Sequence, residues 1–185
     1  MVDDFEDRQL QRVRAFDKAA LAAIYDTFHP KIYGYIYRRV GDVEVSRDLT
    51  SELFHRFLQT VKQGKGPEQQ LKAWLYRAAH NIVIDHYRRQ KHRNHLELTD
   101  QLIGQDSKLE QITEQQLLAQ NLRKAIHTLT PDQQQVVTLK FLEGFSNSEV
   151  AEILDKPVGA VKSLQYRALH SLQRELTVQK EQVLA

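Results

Sequence analysis

The side chains best suited to bind a nucleic acid lie on one predicted helix near the carboxyl end of the chain. No acidic residue occurs between Pro157 and Arg174. An apolar stripe of Val161, Ala168 and Leu172 would face inward, which leaves polar and cationic residues on the opposite side. Such side chains can hydrogen-bond base edges and hold phosphates. The candidate residues on this predicted duplex-binding face are Ala160, Lys162, Ser163, Tyr166, Arg167, His170 and Arg174.

A second predicted helix, from about residue 68 to residue 90, mixes aromatic and cationic residues on an outward face. Rings can stack on unpaired bases while Arg and Lys hold phosphates, so this face suits single-stranded DNA. An ordinary amphipathic helix with snorkelling tyrosines fits the same pattern equally well. Leu71, Leu75, Ala78 and Ile82 are expected to point inward. The candidate residues on this predicted single-strand face are Tyr76, Arg77, His80, Asn81, Asp85, Tyr87, Arg88, Arg89, Lys91 and Arg93.

The duplex-binding face must be positioned by two helices and a tight turn. Ser146 and Glu149 form a capping-box pattern that begins the first helix. The stretch Asp155-Lys156-Pro157 ends it, and the second helix begins near Gly159. This order predicts a helix-turn-helix, whose second helix would enter the major groove of duplex DNA. Two packed helices with a solvated outer face remain the simpler alternative, which the lack of acidic residues disfavours.

Composition excludes several classes of protein. The 185 residues include no cysteine, which excludes disulfides and thiolate metal sites and fits a reducing cytoplasm. No apolar run is long enough to span a membrane. Asp85-His86 has no nucleophile placed with it, so we expect a protein without catalytic activity or cofactor. The histidines at positions 80, 86, 92 and 95 match no standard ligand spacing, and we expect no metal site.

The rest of the chain predicts an all-α protein of two small helical domains joined by a flexible linker. Residues up to about Arg14 are expected to fray, and helices are expected at 17–28, 30–41 and 46–61. Charge changes sign after Arg93, and the following segment is acidic with weak periodicity. A capping pattern at Thr130-Pro131-Asp132-Gln133 begins a later helix. The predicted bounds are residues 15–94 for the first domain, 95–116 for the acidic linker and 117–178 for the second domain.

Two separated stretches resemble parts of bacterial sigma factors. LKAWLYRAAHNIVIDHYRRQKHR is similar to their promoter-melting helix. LTPDQQQVVTLKFLEGFSNSEVAEILDKPVGAVKSLQYRAL resembles their C-terminal DNA-binding domain. DLTSELF, residues 48–54, resembles their polymerase-binding helix. The spacing resembles that of the two-domain extracytoplasmic-function (ECF) members of the sigma-70 family.

The resemblance implies an alternative sigma factor that directs promoter melting and transcription initiation. Its first domain would bind the −10 element and the clamp helices of core RNA polymerase, and its second would read the −35 element as duplex beside the polymerase flap. The linker would thread toward the active-site and RNA-exit channels. An anti-sigma factor is an expected partner, as are core polymerase and promoter DNA. The expected polymerase contacts are Asp48, Leu49, Glu52 and Phe54.

Three positions depart from the family pattern. Ser46-Arg47-Asp48 stands where an Ala-Glu-Asp-like run is usual, and Asp155 stands where relatives often have Gly. Leu164-Gln165 replaces a common Arg-Leu, so a −35 sequence preference cannot be carried over. Two alternatives stay open from the sequence: a dimeric helix-turn-helix regulator that binds duplex without polymerase, and a helical interaction protein. The first is disfavoured by the absence of a βα sensor pattern, the second by cations concentrated on two separate helices.

Overall fold

The computed structural model divides the chain into two compact units, Met1–Gly104 and Gln105–Ala185. It describes residues 10–94, 125, 126 and 128–184, with side chains described up to residue 91 in the first unit and residue 177 in the second. Every regular element in those residues is helical, and the predicted all-α class with two small helical domains is confirmed. The predicted linker, residues 95–116, lies outside the described residues.

The first unit contains three long helices: α1 (Lys18–Val40), α2 (Val43–Lys62) and α3 (Leu71–Asn94). Aspartates cap the first two, because the Asp17 carboxylate accepts from the Ala20 N–H at 2.9 Å and the Asp42 carboxylate accepts from the Val45 N–H at 2.8 Å. Gly41 ends α1 with φ +74°, a left-handed conformation that glycine adopts without steric cost.

The predicted break between two helices at Pro30 is wrong, since α1 continues through it. Proline lacks an N–H, so the carbonyl of Asp26 loses its partner within the helix. Asp26 and Pro30 are both exposed, where water can hydrogen-bond that carbonyl. Ile24 and Ile32 are buried on either side, and their packing holds both halves of the helix against the core.

The predicted fraying up to Arg14 is wrong for residues 10–14, while residues 1–9 lie outside the described residues. Residues 10–14 are helical, and the apolar side chains of Leu10 and Val13 are buried. Burial of two aliphatic side chains contributes about 1.5–3 kcal/mol each, enough to order a short terminal segment.

The buried side chains of α3 differ in part from those predicted, because of how α3 packs in the core of the first unit. Leu75 and Ile82 of α3 are buried as predicted, whereas Leu71 and Ala78 are only half-buried. α3 packs against two helices, and its buried face is therefore wider than one apolar stripe. It includes Tyr76 and His80, so the prediction that these two face outward is wrong. The buried residues of α3 are Ala73, Leu75, Tyr76, Ala79, His80, Ile82 and Val83.

In its described residues, the second unit contains α4 (Pro131–Val137), a π-helical turn (Thr138–Leu142), α5 (Asn147–Leu154) and α6 (Val158–Leu184). Thr130 and Ser146 both form the predicted capping boxes. The helix that begins at this Thr130 cap changes to π geometry after Val137, and Phe141 and Leu142 are exposed. A core cluster joins residues 125–129 and α4 to α6 through Ala125, Leu129, Val137, Ala168 and Leu172. No described helix combines the length and apolar character that crossing a membrane requires.

Candidate nucleic-acid and partner surfaces

The predicted duplex-binding face of α6 points outward. Val161 and Ala168 are fully buried on the opposite side of this helix. Tyr166 is 72% exposed, more than any other large apolar or aromatic side chain in the described residues. Ala160 is half-buried at the edge of the face. The exposed residues of this duplex-binding face are Lys162, Ser163, Tyr166, Arg167, His170 and Arg174.

Local hydrogen bonds orient two members of the face. Ser163 Oγ donates to the Gly159 carbonyl at 3.0 Å, and Arg167 Nε donates to the Ser163 carbonyl at 3.3 Å. The guanidinium of Arg167 therefore lies back along the helix toward its N-terminal half. That half is the part of a recognition helix that contacts base edges.

The turn before α6 is fixed by backbone geometry and one ion pair. Ser146 Oγ accepts from the Glu149 N–H at 3.2 Å, and the Glu149 carboxylate accepts from the Ser146 N–H at 2.7 Å. Asp155 ends α5 in the left-handed region, with φ 52° and ψ 47°. Lys156 Nζ lies 3.1 Å from the Asp132 carboxylate, which ties the turn to α4. The predicted helix-turn-helix is confirmed in its order and its caps.

The single-strand face of α3 is smaller than predicted. Tyr76 is fully buried, with its ring 5.4 Å from that of Tyr35, and His80 is 6% exposed. Neither side chain is available to a base, because both pack against α1. Asp85 is half-buried, with its carboxylate 3.7 Å from the Arg88 guanidinium. The side chain of Arg93 lies outside the described residues. The exposed residues that remain are Arg77, Asn81, Tyr87, Arg88, Arg89 and Lys91.

Arg39 of α1 connects the interior of this unit to the single-strand face, and it was not predicted from the sequence. Its Nη1 lies 3.0 Å from His80 Nδ1 and 3.5 Å from the Tyr35 hydroxyl. A guanidinium only donates, so His80 Nδ1 accepts. The Arg39 carbonyl accepts a 2.5 Å hydrogen bond from the Tyr87 hydroxyl, whose ring is 41% exposed. The four-residue spacing of Tyr35 and Arg39 was the available signal, because it places both on one side of α1.

The environment of His86 lowers the pKa of its imidazole below the ordinary value of 6.5. Burial is the main cause, and the nearby Arg89 guanidinium adds to it, while Asp42 acts in the opposite direction. Within the part of the chain that the structure describes, no three His, Asp or Glu side chains are grouped as a metal site requires.

The predicted polymerase-binding residues divide into two groups. Asp48 is exposed and Glu52 is half-buried. Leu49 and Phe54 are 5% and 4% exposed, so the prediction that their side chains contact a partner is wrong. Leu49 belongs to the buried stripe of α2, and the Phe54 ring lies 4.9 Å from that of Tyr25. Side chains that fill the core of the unit hold α2 in place from within.

Glu52 is occupied by two cations. Arg56 donates to one carboxylate oxygen, and Arg89 Nη2 of α3 lies 3.9 Å from the other. Glu52, an expected polymerase contact, therefore forms an ion pair with Arg89, an expected DNA contact, in the isolated chain. Both side chains are partly exposed, where such a pair contributes less than about 1 kcal/mol.

Comparison with known proteins matches both units to one family. The chain matches "Sigma-70 region 2" over residues 24–93 and "Sigma-70, region 4" over residues 119–172, which together make up more than half of it. The ECF RNA polymerase sigma factor BldN of Streptomyces coelicolor is 36% identical over 174 residues, which cover 90% of this chain and 64% of that protein. The ECF RNA polymerase sigma factor SigW of Bacillus subtilis is 27% identical over 179 residues, which cover 91% of this chain and 95% of that protein.

A solved structure of similar fold is the sigma factor RpoE in complex with the anti-sigma factor NepR from Bartonella quintana. It has a TM-score of 0.68 and 19% identity, and the match covers 85% of this chain and 96% of that one. At that identity the similarity concerns the fold. Both sequence regions, the relatives and the helical architecture agree, and the chain belongs to the sigma-70 family of RNA polymerase sigma factors, in its extracytoplasmic-function group.

Proposed function

We propose that this chain is an alternative sigma factor that binds core RNA polymerase, recognises the −10 and −35 promoter elements, and directs DNA melting and initiation. The observation that carries the proposal is the presence of two exposed cationic helix faces, on α3 and α6, in separate units. The α3 face lies within the sigma-70 region that matches its unit, and so does the α6 face except for Arg174, two residues beyond the match. A single helix-turn-helix would support only duplex binding.

The two faces are assigned to different forms of DNA. On α3, Asn81 can hydrogen-bond an unpaired base edge and the exposed ring of Tyr87 can stack on a base. On α6, Ser163, Tyr166 and Arg167 are proposed to read duplex base edges, because they lie in the N-terminal half of the helix. The remaining exposed cations are proposed as phosphate contacts: Arg77, Arg88, Arg89, Lys91, Lys162, His170 and Arg174.

Asp48 and Glu52 are proposed to bind core polymerase. They lie four residues apart on α2, where like charges are unfavourable by about 0.2–0.5 kcal/mol, and a cationic partner would relieve that cost. Arg56 and Arg89 already offset part of this repulsion at Glu52, so the exposed carboxylate of Asp48 is the stronger candidate.

An anti-sigma factor is proposed as a further partner. The protein of similar fold was solved in complex with one, and a shared fold would present similar helix surfaces to an inhibitor. Purification of this protein from its native cell should recover a bound protein inhibitor. Recovery without one, together with constant promoter activity, would contradict this partner.

The decisive experiment for the proposed function is reconstitution. The purified chain is added to bacterial core RNA polymerase with a library of promoter fragments, and transcripts are mapped. Discrete start sites that appear only when the chain is present are expected. An Asp48→Lys, Glu52→Lys double variant should lose core binding while its helical circular-dichroism spectrum is retained. Specific duplex binding without any effect on initiation would instead identify a polymerase-independent regulator.

A further inference from the structure

An ion pair links the residue assigned to polymerase on α2 with a residue assigned to DNA on α3. Glu52 lies on α2, one turn beyond Asp48, and its side chain is 34% exposed. Arg89 lies on α3, and its Nη2 is 3.9 Å from a carboxylate oxygen of Glu52. In the free chain these two side chains therefore offset part of each other's charge, although each is assigned to a different partner.

The Glu52 carboxylate is already shared between two guanidinium groups. Arg56, four residues further along α2, donates a hydrogen bond to Oε1, and Arg89 approaches Oε2. A third cation, brought to the same carboxylate by a partner, would lie close to both guanidinium groups, and like charges at short distance repel. A polymerase cation that binds Glu52 must therefore displace one of the two arginines.

The contacts identify Arg89 as the arginine that is displaced. Its separation of 3.9 Å is longer than a hydrogen bond, whereas Arg56 makes a hydrogen bond to Glu52. Arg56 is also held by helix spacing, because side chains four residues apart on one helix are neighbours. The Nε of Arg89 donates to the Asp85 carbonyl at 3.3 Å, on its own helix. After displacement from Glu52, Arg89 is thus still anchored on α3, and its Nη atoms are free for an anion.

Asp48 supplies the position from which a cationic partner reaches Glu52. Asp48 is exposed, and residues four apart on a helix have Cβ atoms about 5–6 Å apart. A cationic group that pairs with Asp48 is therefore close enough to attract the Glu52 carboxylate as well. A cation bound between the two carboxylates relieves their mutual repulsion, which Arg56 and Arg89 partly relieve in the free chain.

We propose that Glu52 couples polymerase binding to DNA binding: core polymerase displaces Arg89 from Glu52 and so releases this guanidinium for a DNA phosphate. This proposal rests on the proposed function, which assigns Glu52 to polymerase and Arg89 to DNA. Coupling between two binding sites is reciprocal, so DNA bound to Arg89 strengthens polymerase binding by the factor by which polymerase strengthens DNA binding. The factor is about two- to threefold, because both side chains of the ion pair are partly exposed.

The first measurement is the affinity of the full chain for core RNA polymerase in the absence of DNA. Arg89→Ala should bind core about two- to threefold more tightly than the wild type, because the competitor for Glu52 is removed. Arg89→Lys keeps a positive charge at this position and should stay closer to the wild type. A higher salt concentration should reduce the gain, because salt screens the attraction between exposed charges.

Lys62→Ala is the matched control, because Lys62 is an exposed cation of α2 that lies ten residues, or about 15 Å, beyond Glu52. It removes the same charge from the same unit and should leave core affinity unchanged. In a Glu52→Gln background, Arg89→Ala should give no gain, since the shared carboxylate is gone. Asp48 is retained in that background, so core binding should remain measurable.

The second measurement is the binding of reconstituted holoenzyme to fork-junction DNA with a single-stranded downstream arm. Arg89→Ala should weaken this binding at least about threefold, because a phosphate contact is lost. The same variant therefore changes the affinities for polymerase and for DNA in opposite directions. A purely structural role of Arg89 would weaken the binding of both partners.

Three results would overturn the coupling. The first is a core affinity of Arg89→Ala equal to that of Lys62→Ala. The second is a gain that persists undiminished in the Glu52→Gln background, which would exclude this carboxylate as the shared group. The third is fork binding that Arg89→Ala leaves unchanged, which would exclude the transfer of Arg89 to DNA. If the wild-type chain does not bind core polymerase at all, the proposed function itself fails, which is a separate outcome.

Discussion

His86 illustrates how one side chain links packing to pH. Its pKa is lowered mainly by burial, so the unfolded chain binds a proton more readily than the folded one. Below the ordinary value of 6.5 the unfolded state therefore gains protons first, and the free energy of unfolding falls as the pH decreases. Above that value His86 is neutral in both states and this effect vanishes.

His86→Gln should reduce the pH dependence of stability. The wild-type chain should lose more stability between pH 7.5 and pH 5.5 than the variant, because Gln takes up no proton. Thermal unfolding of both proteins at the two pH values measures the difference. Carboxylates such as Asp17, whose pKa is lowered by the Ala20 N–H, titrate in both proteins and cancel in the comparison. An identical loss in the two proteins would contradict the assignment.

At the scale of single elements, structural features were predicted correctly from the sequence where neighbouring residues in the chain cause them. Capping depends on residues within one turn, and Thr130 and Ser146 both form the predicted boxes. Asp155 adopts the left-handed conformation that the turn requires, which Asp tolerates better than most residues. The inward and outward faces of α6 also agree with the apolar stripe, because α6 has one main side to bury.

Predictions from the sequence were wrong where packing against a neighbouring helix determines which side chains are buried. Tyr76 and His80 were predicted to lie on an outward aromatic face from the pattern of α3 alone, but α1 covers them. Pro30 was predicted to begin a helix, but buried residues on both sides of it keep α1 continuous. Leu49 and Phe54 match a partner-binding motif, yet they fill the core of the first unit. In each case tertiary packing, which leaves no local signal, sets the outcome.

The capping box of α5 gives a prediction at this scale. Ser146→Ala removes the acceptor for the Glu149 N–H and should destabilise the second unit by about 1 kcal/mol. Ser146→Asn keeps a capping oxygen and should cost much less. Urea unfolding followed by circular dichroism reports the change. Fluorescence of Trp74, the single tryptophan, reports the first unit and should be unchanged. Equal stability of the Ala variant and the wild type would contradict the role of the cap.

At the scale of the whole molecule, each unit presents its own proposed nucleic-acid surface. The charged and aromatic residues of α3 lie in the first unit, and those of α6 lie in the second. Separate units allow one protein to bind two DNA elements whose forms differ, one opened and one duplex. A lost bidentate base contact costs about 1–3 kcal/mol at one position, whereas a lost phosphate contact weakens binding to all sequences.

The last prediction separates the two surfaces. Arg167→Ala should reduce holoenzyme binding to the upstream duplex element by about 1–3 kcal/mol, because a base contact on α6 is lost. A pre-melted downstream bubble should not restore that recognition, since opening the DNA supplies no contact to α6. Asn81→Ala should impair selection of the downstream element on fork-junction DNA while upstream duplex binding stays intact. Each variant is the control for the other, because both are exposed side chains and both proteins are assayed with the same two probes. If Asn81→Ala harms only the duplex probe, or Arg167→Ala harms only capture of the opened strand, the assignment of α3 and α6 is reversed and the division proposed for the two units is wrong.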